Sequence, residues 1–348
     1  MKLELRADAV SKYRQELMGL SILGILLFHF FQDCRSSGYN YTEYARFYFE
    51  HVGSSCVDVF LFLSGLGLFY SLKKNGEVRS FYAKRFRKIL IPYFLVAIPA
   101  FIYLDIVSKD SISKFFRDIF FVSFMKDGSI LFWYILLIMI CYLFSPHLFR
   151  YIDSSRDDHE MYSRMFAILT FVISCILALQ LNCGEFFDKT NILILRIPAF
   201  IGGMFMGRLS YTKAKLGSGF FLILILAVFL NNQIAISPIY TLRLVIALTA
   251  ICAAVLIALI SDAFLSRFKI CSKIVFPILR WIGRYTLELY ICHVAVRRIL
   301  NKEDYPTCRY RYELLMLAIS ILAVVIVRLL TLMINKTFDT IHKNYAAK

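Results

Sequence analysis

YRQELMGLSILGILLFHF, Tyr13 to Phe30, opens with charge at Arg14 and Glu16, runs into an apolar helix and ends on a histidine, His29. A charged side chain deep in a bilayer costs roughly 2 kcal/mol or more, so polar residues in such spans usually face a cavity or a partner. Histidine is also the side chain best suited to moving a proton near neutral pH. On a helix of 100° per residue, Arg14 and His29 fall about 60° apart around the axis and about 22 Å apart along it. They share a face at opposite ends of the span. The competing reading is a histidine hydrogen-bonded between packed helices.

The rest of the chain fits this beginning. Its 348 residues are 59% hydrophobic and only 18% charged, with a mean hydropathy of +0.66. Several apolar runs approach the roughly 20 residues that cross a bilayer. The expectation is an all-α, polytopic membrane helix bundle. It forms one integral membrane domain over residues 1–348, with no separate soluble domain and no cleavable signal peptide. The net charge of +16 does not indicate nucleic acid, because the basic residues sit in short loops between spans. Nine cysteines are scattered without CxxC or Cys/His ligand spacing, so no metal site is expected. Cys34 and Cys56 flank the first outer loop and form a candidate disulfide.

Ten spans are expected, at about 17–32, 54–72, 89–107, 129–149, 164–182, 191–209, 218–232, 240–260, 279–299 and 312–334. An even number puts both ends on one side. Lys and Arg concentrate on that side, above all in Lys73, Lys74, Arg79, Lys84, Arg85, Arg87 and Lys88. Both termini and the 73–88 loop are therefore expected in the cytoplasm of a multi-pass cell-membrane protein. His29 and Asp58 then lie at similar depth in the outer half. The 108–128 connection reads as an amphipathic piece lying in the interface.

Three N-terminal blocks, LMGLSILGILLFH (Leu17–His29), VDVFLFLSGLGL (Val57–Leu68) and FYAKRFRKILIPYF (Phe81–Phe94), resemble the membrane acyltransferase 3 family. FWYI at Phe132–Ile135, IPAFIGGMFMGRL and IGRYTLELYICH (Ile282–His293) agree with it. The resemblance implies ten spans with cytoplasmic termini. It also implies transfer of an acetyl group, usually from acetyl-CoA, to a hydroxyl of a cell-surface sugar or polysaccharide. In that family an arginine precedes the histidine by ten intervening residues; here that position is Met18. Arg14, one turn earlier, is the candidate replacement. The family's Arg-x-x-Arg after span 2 reads here as Arg85-x-x-Lys88.

Acyl transfer to a hydroxyl needs a base, a stabilised oxyanion and a held thioester. His29 is the candidate base, with an acyl-histidine intermediate as the alternative. Asp58 is the candidate carboxylate to orient its ring, and Asp33, one turn beyond His29, is its rival. Arg14 and Glu16 complete the candidate catalytic set; Glu16 also reads as a first-turn charge favoured by the helix dipole. Lys84, Arg85, Arg87 and Lys88 are candidates for the coenzyme A phosphates, or are simple positive-inside anchors. Trp133 and Arg196 are candidates for the acceptor sugar, or a belt tryptophan and a paired arginine. Arg243 and Arg328 should also find partners inside the bundle, with Glu288 available to one of them. His293 is read as structural, and Ser64 and Gly65 as allowing close helix packing. The absence of a Gly-rich phosphate loop, HExxH, GxSxG or metal cluster argues against soluble nucleotide or metal chemistry. A transporter of a metabolite or glycan is the second functional class, and a non-catalytic component of polysaccharide assembly is the third.

Overall fold

A computed structural model describes residues 6–36, 42, 52–74, 77–129, 131–233, 239–302 and 310–346. Among these residues the chain is helical, without a strand. The charged leader forms α1 (Asp8–Lys12), and α2 (Arg14–Ser36) is the span that carries His29. α3 (Cys56–Lys74) and α4 (Val78–Phe101) follow, and α4 runs on through a wider turn over Ile102–Val107. Two short helices, α5 (Ile112–Ile119) and α6 (Val122–Asp127), lie in the 108–128 connection. Ile112, Phe116 and Phe120 form an exposed apolar stripe there, as an interfacial helix requires. Next come α7 (Trp133–Asp153), α8 (Asp158–Asn182), α9 (Gly184–Ile194), α10 (Ile197–Tyr211), α11 (Ser218–Gln233) and α12 (Ile239–Ala263). The chain ends in α13 (Phe276–Gly283), α14 (Thr286–Lys302) and α15 (Tyr310–Ala346).

Eight stretches among the described residues are long and apolar enough to cross a membrane. The other two expected spans coincide with α11, whose apolar part is Gly219–Leu230, and with the α13–α14 pair. Span 9 breaks between Gly283 and Thr286, so neither half is long enough alone. Its composition also lowers its hydropathy, with Arg280, Arg284 and Glu288 interrupting the apolar run.

Two helix pairs fix the bundle. α3 packs along α10 more extensively than any other two helices. Glycines allow this approach: a Cβ on Gly65 would overlap the Phe200 carbonyl, and one on Gly203 the Phe62 carbonyl. α2 packs on α13 by the same device, Gly19 against the Leu279 carbonyl and Gly283 against that of Gln15.

Ion pairs sort the ends of the helices. Lys12 reaches Asp262 at 2.5 Å, Lys73 reaches Asp153 at 2.9 Å, and Arg87 reaches Asp339 at 3.0 Å. The leader, the basic loop and the end of α15 thus share one face of the bundle. Its excess of cations is the pattern that the positive-inside bias gives to a cytoplasmic face. The Asp262 carboxylate raises the Lys12 ammonium above the usual lysine pKa. At the opposite end Cys34 is disulfide-bonded, which suits an oxidising, outer compartment. Its partner is not Cys56, as the sequence suggested; Cys56 is outside any disulfide.

Candidate active site

Two cavities enter the bundle from its two ends. The inner one, about 240 Å³, opens near the basic loop. Arg14, Arg85, Lys88 and Arg284 line it, with Glu288 as the one carboxylate among the described residues and Ser64, Tyr134 and Tyr142 as neutral polar groups. Arg85 and Lys88 project together because residues three apart share a helix face. Arg14 is held by its Nε, which donates to the Leu63 carbonyl at 2.7 Å. Gly67 leaves the space for its guanidinium, which a Cβ there would strike. Met18 lines the same cavity, so the residue at the family arginine's position and its candidate replacement face one space.

Not all of the basic segment takes part. Lys84 lines a neighbouring recess with Arg85 and Lys88. Arg87, expected at the phosphates, turns to α15 instead. There it donates to Asp339 and to the Asn335 carbonyl (2.6 Å) and lies over the Phe338 ring. Glu16 is likewise drawn away from the cavity. Arg280 grips it through Nε at 2.9 Å and Nη2 at 2.5 Å, which ties α2 to α13.

The outer cavity is larger, about 990 Å³, and contains His29. The His29 ring stacks on His293 of α14, with centroids 5.2 Å apart and planes 9° from parallel. Its Nδ1 is buried without a hydrogen bond among the described residues, which leaves Nε2 as the nitrogen open to the cavity. One turn further along both helices, Arg297 grips Asp33 at 2.8 and 2.5 Å. The stack and the ion pair are two rungs between α2 and α14, each set by residues four apart.

Asp58 does not orient His29. It accepts from Arg196 Nη1 at 2.5 Å, and Arg196 also donates to the Ser54 carbonyl at 3.1 Å. The Arg196 guanidinium lies 5.4 Å from the centre of the Trp133 ring, a cation–π contact. Trp133 and Arg196 both line the outer cavity, as their candidate role requires. Arg243 reaches the Asn191 side-chain oxygen at 2.6 Å, and Arg328 reaches Glu288 at 3.4 Å. Asp105 and Asp118 face the outer cavity and share Lys114. No group of three or more metal-ligand side chains occurs among the described residues.

The cavities abut beside His29. Ile25, one turn inward from it, lines both, as do Val57 and Tyr290. The site therefore has an entrance at each end and an apolar and aromatic partition between them.

The family model for the acyltransferase domain of the acyltransferase 3 type matches residues 17–340. The chain belongs to the acyltransferase 3 family. No curated protein and no solved structure matches it. It is thus a multi-pass membrane acyltransferase. The matched segment includes the outer cavity, the His29–His293 stack and the lining of the inner cavity except Arg14 and Gln15. Sequence reasoning missed the Asp33–Arg297 grip and the Lys114 cluster. The signal for the first was the equal spacing of His29 to Asp33 and His293 to Arg297.

Proposed function

We propose that the protein takes an acetyl group from cytoplasmic acetyl-CoA and transfers it to a hydroxyl of a cell-surface or lipid-linked sugar, at the cell membrane. The observation that carries this reading is the meeting of an inner, cationic cavity and an outer, wide one beside His29. Arg14, Arg85 and Lys88 suit the phosphates of coenzyme A, with Lys84 adjoining. The inner cavity is small for a nucleotide, so the slender thioester arm enters it and the nucleotide stays at its mouth. Arg14 supplies the cation that Met18 does not.

In the reaction, His29 Nε2 takes the proton of the sugar hydroxyl as the oxygen attacks the thioester carbonyl. The carbon–sulfur bond breaks, and the coenzyme A thiolate leaves with the proton that His29 returns. His293 holds the ring flat, and Trp133 offers a face to the sugar. The Ile25–Val57–Tyr290 partition favours passage of an acyl group over passage of a whole solute, which weighs against transport.

The test is acetyl transfer by the purified protein in nanodiscs, with radiolabelled acetyl-CoA and a panel of sugars and surface glycans. Wild type labels an acceptor, and His29→Ala loses about 10²-fold or more of that rate. Normal activity in His29→Ala would remove the proposed base.

A further inference from the structure

Positive charge is common on the cytoplasmic side of a membrane protein and scarce on the other. The outer cavity runs against that rule. Lys109, Lys114, Arg196, Arg243, Arg297 and Arg298 line it. The carboxylates that face them are Asp33, Asp105 and Asp118, with Asp58 in the small adjoining recess that shares Arg196 and Arg243. Cations therefore exceed carboxylates among the described residues, even with Asp58 counted.

The carboxylates are also already engaged. Asp33 is taken by Arg297, with Asn301 adding a bond at 3.1 Å. Asp58 is taken by Arg196. Asp105 and Asp118 divide one lysine, Lys114. Lys109 and Arg298 have neither ion pair nor hydrogen bond among the described residues, and both are exposed at the cavity. Membrane anchoring does not account for cations gathered around an aqueous cavity on the outer side. A ligand of opposite charge does, because cationic walls of low dielectric raise the local concentration of an anion.

We infer that the outer cavity selects an acceptor glycan that carries negative charge, a sugar phosphate or a sugar carboxylate, with its anion held toward Lys109 and Arg298 and a hydroxyl presented to His29. The inference rests on the acyl-transfer reading for the hydroxyl, but not for the charge. Arg243 and Arg196 add to the field deeper in the cavity. Trp133, with Arg196 on its ring, offers the apolar face of the sugar a platform.

The test is binding to the full chain in nanodiscs of zwitterionic lipid, read by the fluorescence of Trp133 in a Trp281→Phe background. The probes are glucose, glucuronate and glucose 6-phosphate, which share one ring and differ in charge. One or both anions should bind about tenfold more tightly than glucose in low salt. That advantage should collapse near 1 M salt, where the screening length falls to about 3 Å. Preference for one anion alone assigns the source of the charge. The double variant Lys109→Gln, Arg298→Gln should lower the ratio of charged to neutral affinity to about threefold or less. Arg267→Gln, a cation of the cytoplasmic end, should leave that ratio in place. Equal affinity for the three probes, or a ratio untouched by salt and by the double variant, would overturn the inference. Radiolabelled acetyl transfer, measured alongside, separates the two readings. Transfer without preference for charge retains the enzyme and removes the anionic acceptor. Preference for charge without transfer to any acceptor does the reverse.

Discussion

His29 meets an aromatic ring where a carboxylate was expected, and this sets what its neighbours should do when changed. The stacked geometry puts His293 against the face of His29, so no in-plane hydrogen bond passes a proton between them. His293 then acts by position. His293→Ala should lower kcat by about tenfold or more through loss of ring orientation, with KM for acetyl-CoA little changed. His293→Phe, which restores a flat ring, should recover most of the rate; a phenylalanine variant as slow as the alanine one would give His293 a proton of its own to handle. Arg14 permits a second test. A charge-assisted bond to phosphate is worth about 1.5–3 kcal/mol, so Arg14→Ala should raise KM for acetyl-CoA by roughly tenfold to a hundredfold. Adding Met18→Arg to that variant should restore affinity, because both residues line one cavity. Failure of the restoration would separate Arg14 from the family arginine. At this scale residue type and spacing brought His29, Arg14, Arg85 and Lys88 forward, and the structure places Arg14, Arg85 and Lys88 on the inner cavity and His29 on the outer one. The sequence did not show the partners of Asp58, Glu16 and Arg87, each of which is captured by an arginine or a carboxylate more than a hundred residues away. Local pattern carries no record of such partners.

Among the elements, α3 and α10 make the contact on which the bundle depends, and its tolerance is asymmetric. A methyl group at Gly65 or Gly203 would press on backbone of the facing helix, whereas one at Gly202 meets open space. Gly65→Ala and Gly203→Ala should each cost about 1–3 kcal/mol, seen as a lower unfolding midpoint in detergent or nanodiscs, while Gly202→Ala should be neutral. Equal midpoints for all three would show that the helices shift apart without penalty. The small-residue runs announced this packing in the sequence, and the apolar runs announced most of the spans. Span 9 was the exception in kind. Its break at Gly283 lies among charges that each serve a partner across the bundle, Arg280 on Glu16 and Glu288 with Arg328. Hydropathy averages over such residues and does not reveal the break.

For the whole molecule, sidedness ties the fold to the chemistry. The basic loop, the leader and the end of α15 share the face where the inner cavity opens, and the disulfide-bonded Cys34 lies with His29 toward the other. A thioester on one side and a hydroxyl on the other would meet at Ile25, Val57 and Tyr290 without either substrate crossing. Proteoliposomes with defined orientation, radiolabelled acetyl-CoA only at the cytoplasmic face and acceptor glycan only at the outer face, test this most directly. Label should reach the acceptor in wild type and not in His29→Ala. Transfer that occurs only when both substrates are on one face, or that persists in His29→Ala, would contradict an acyl group passed across the bundle at His29.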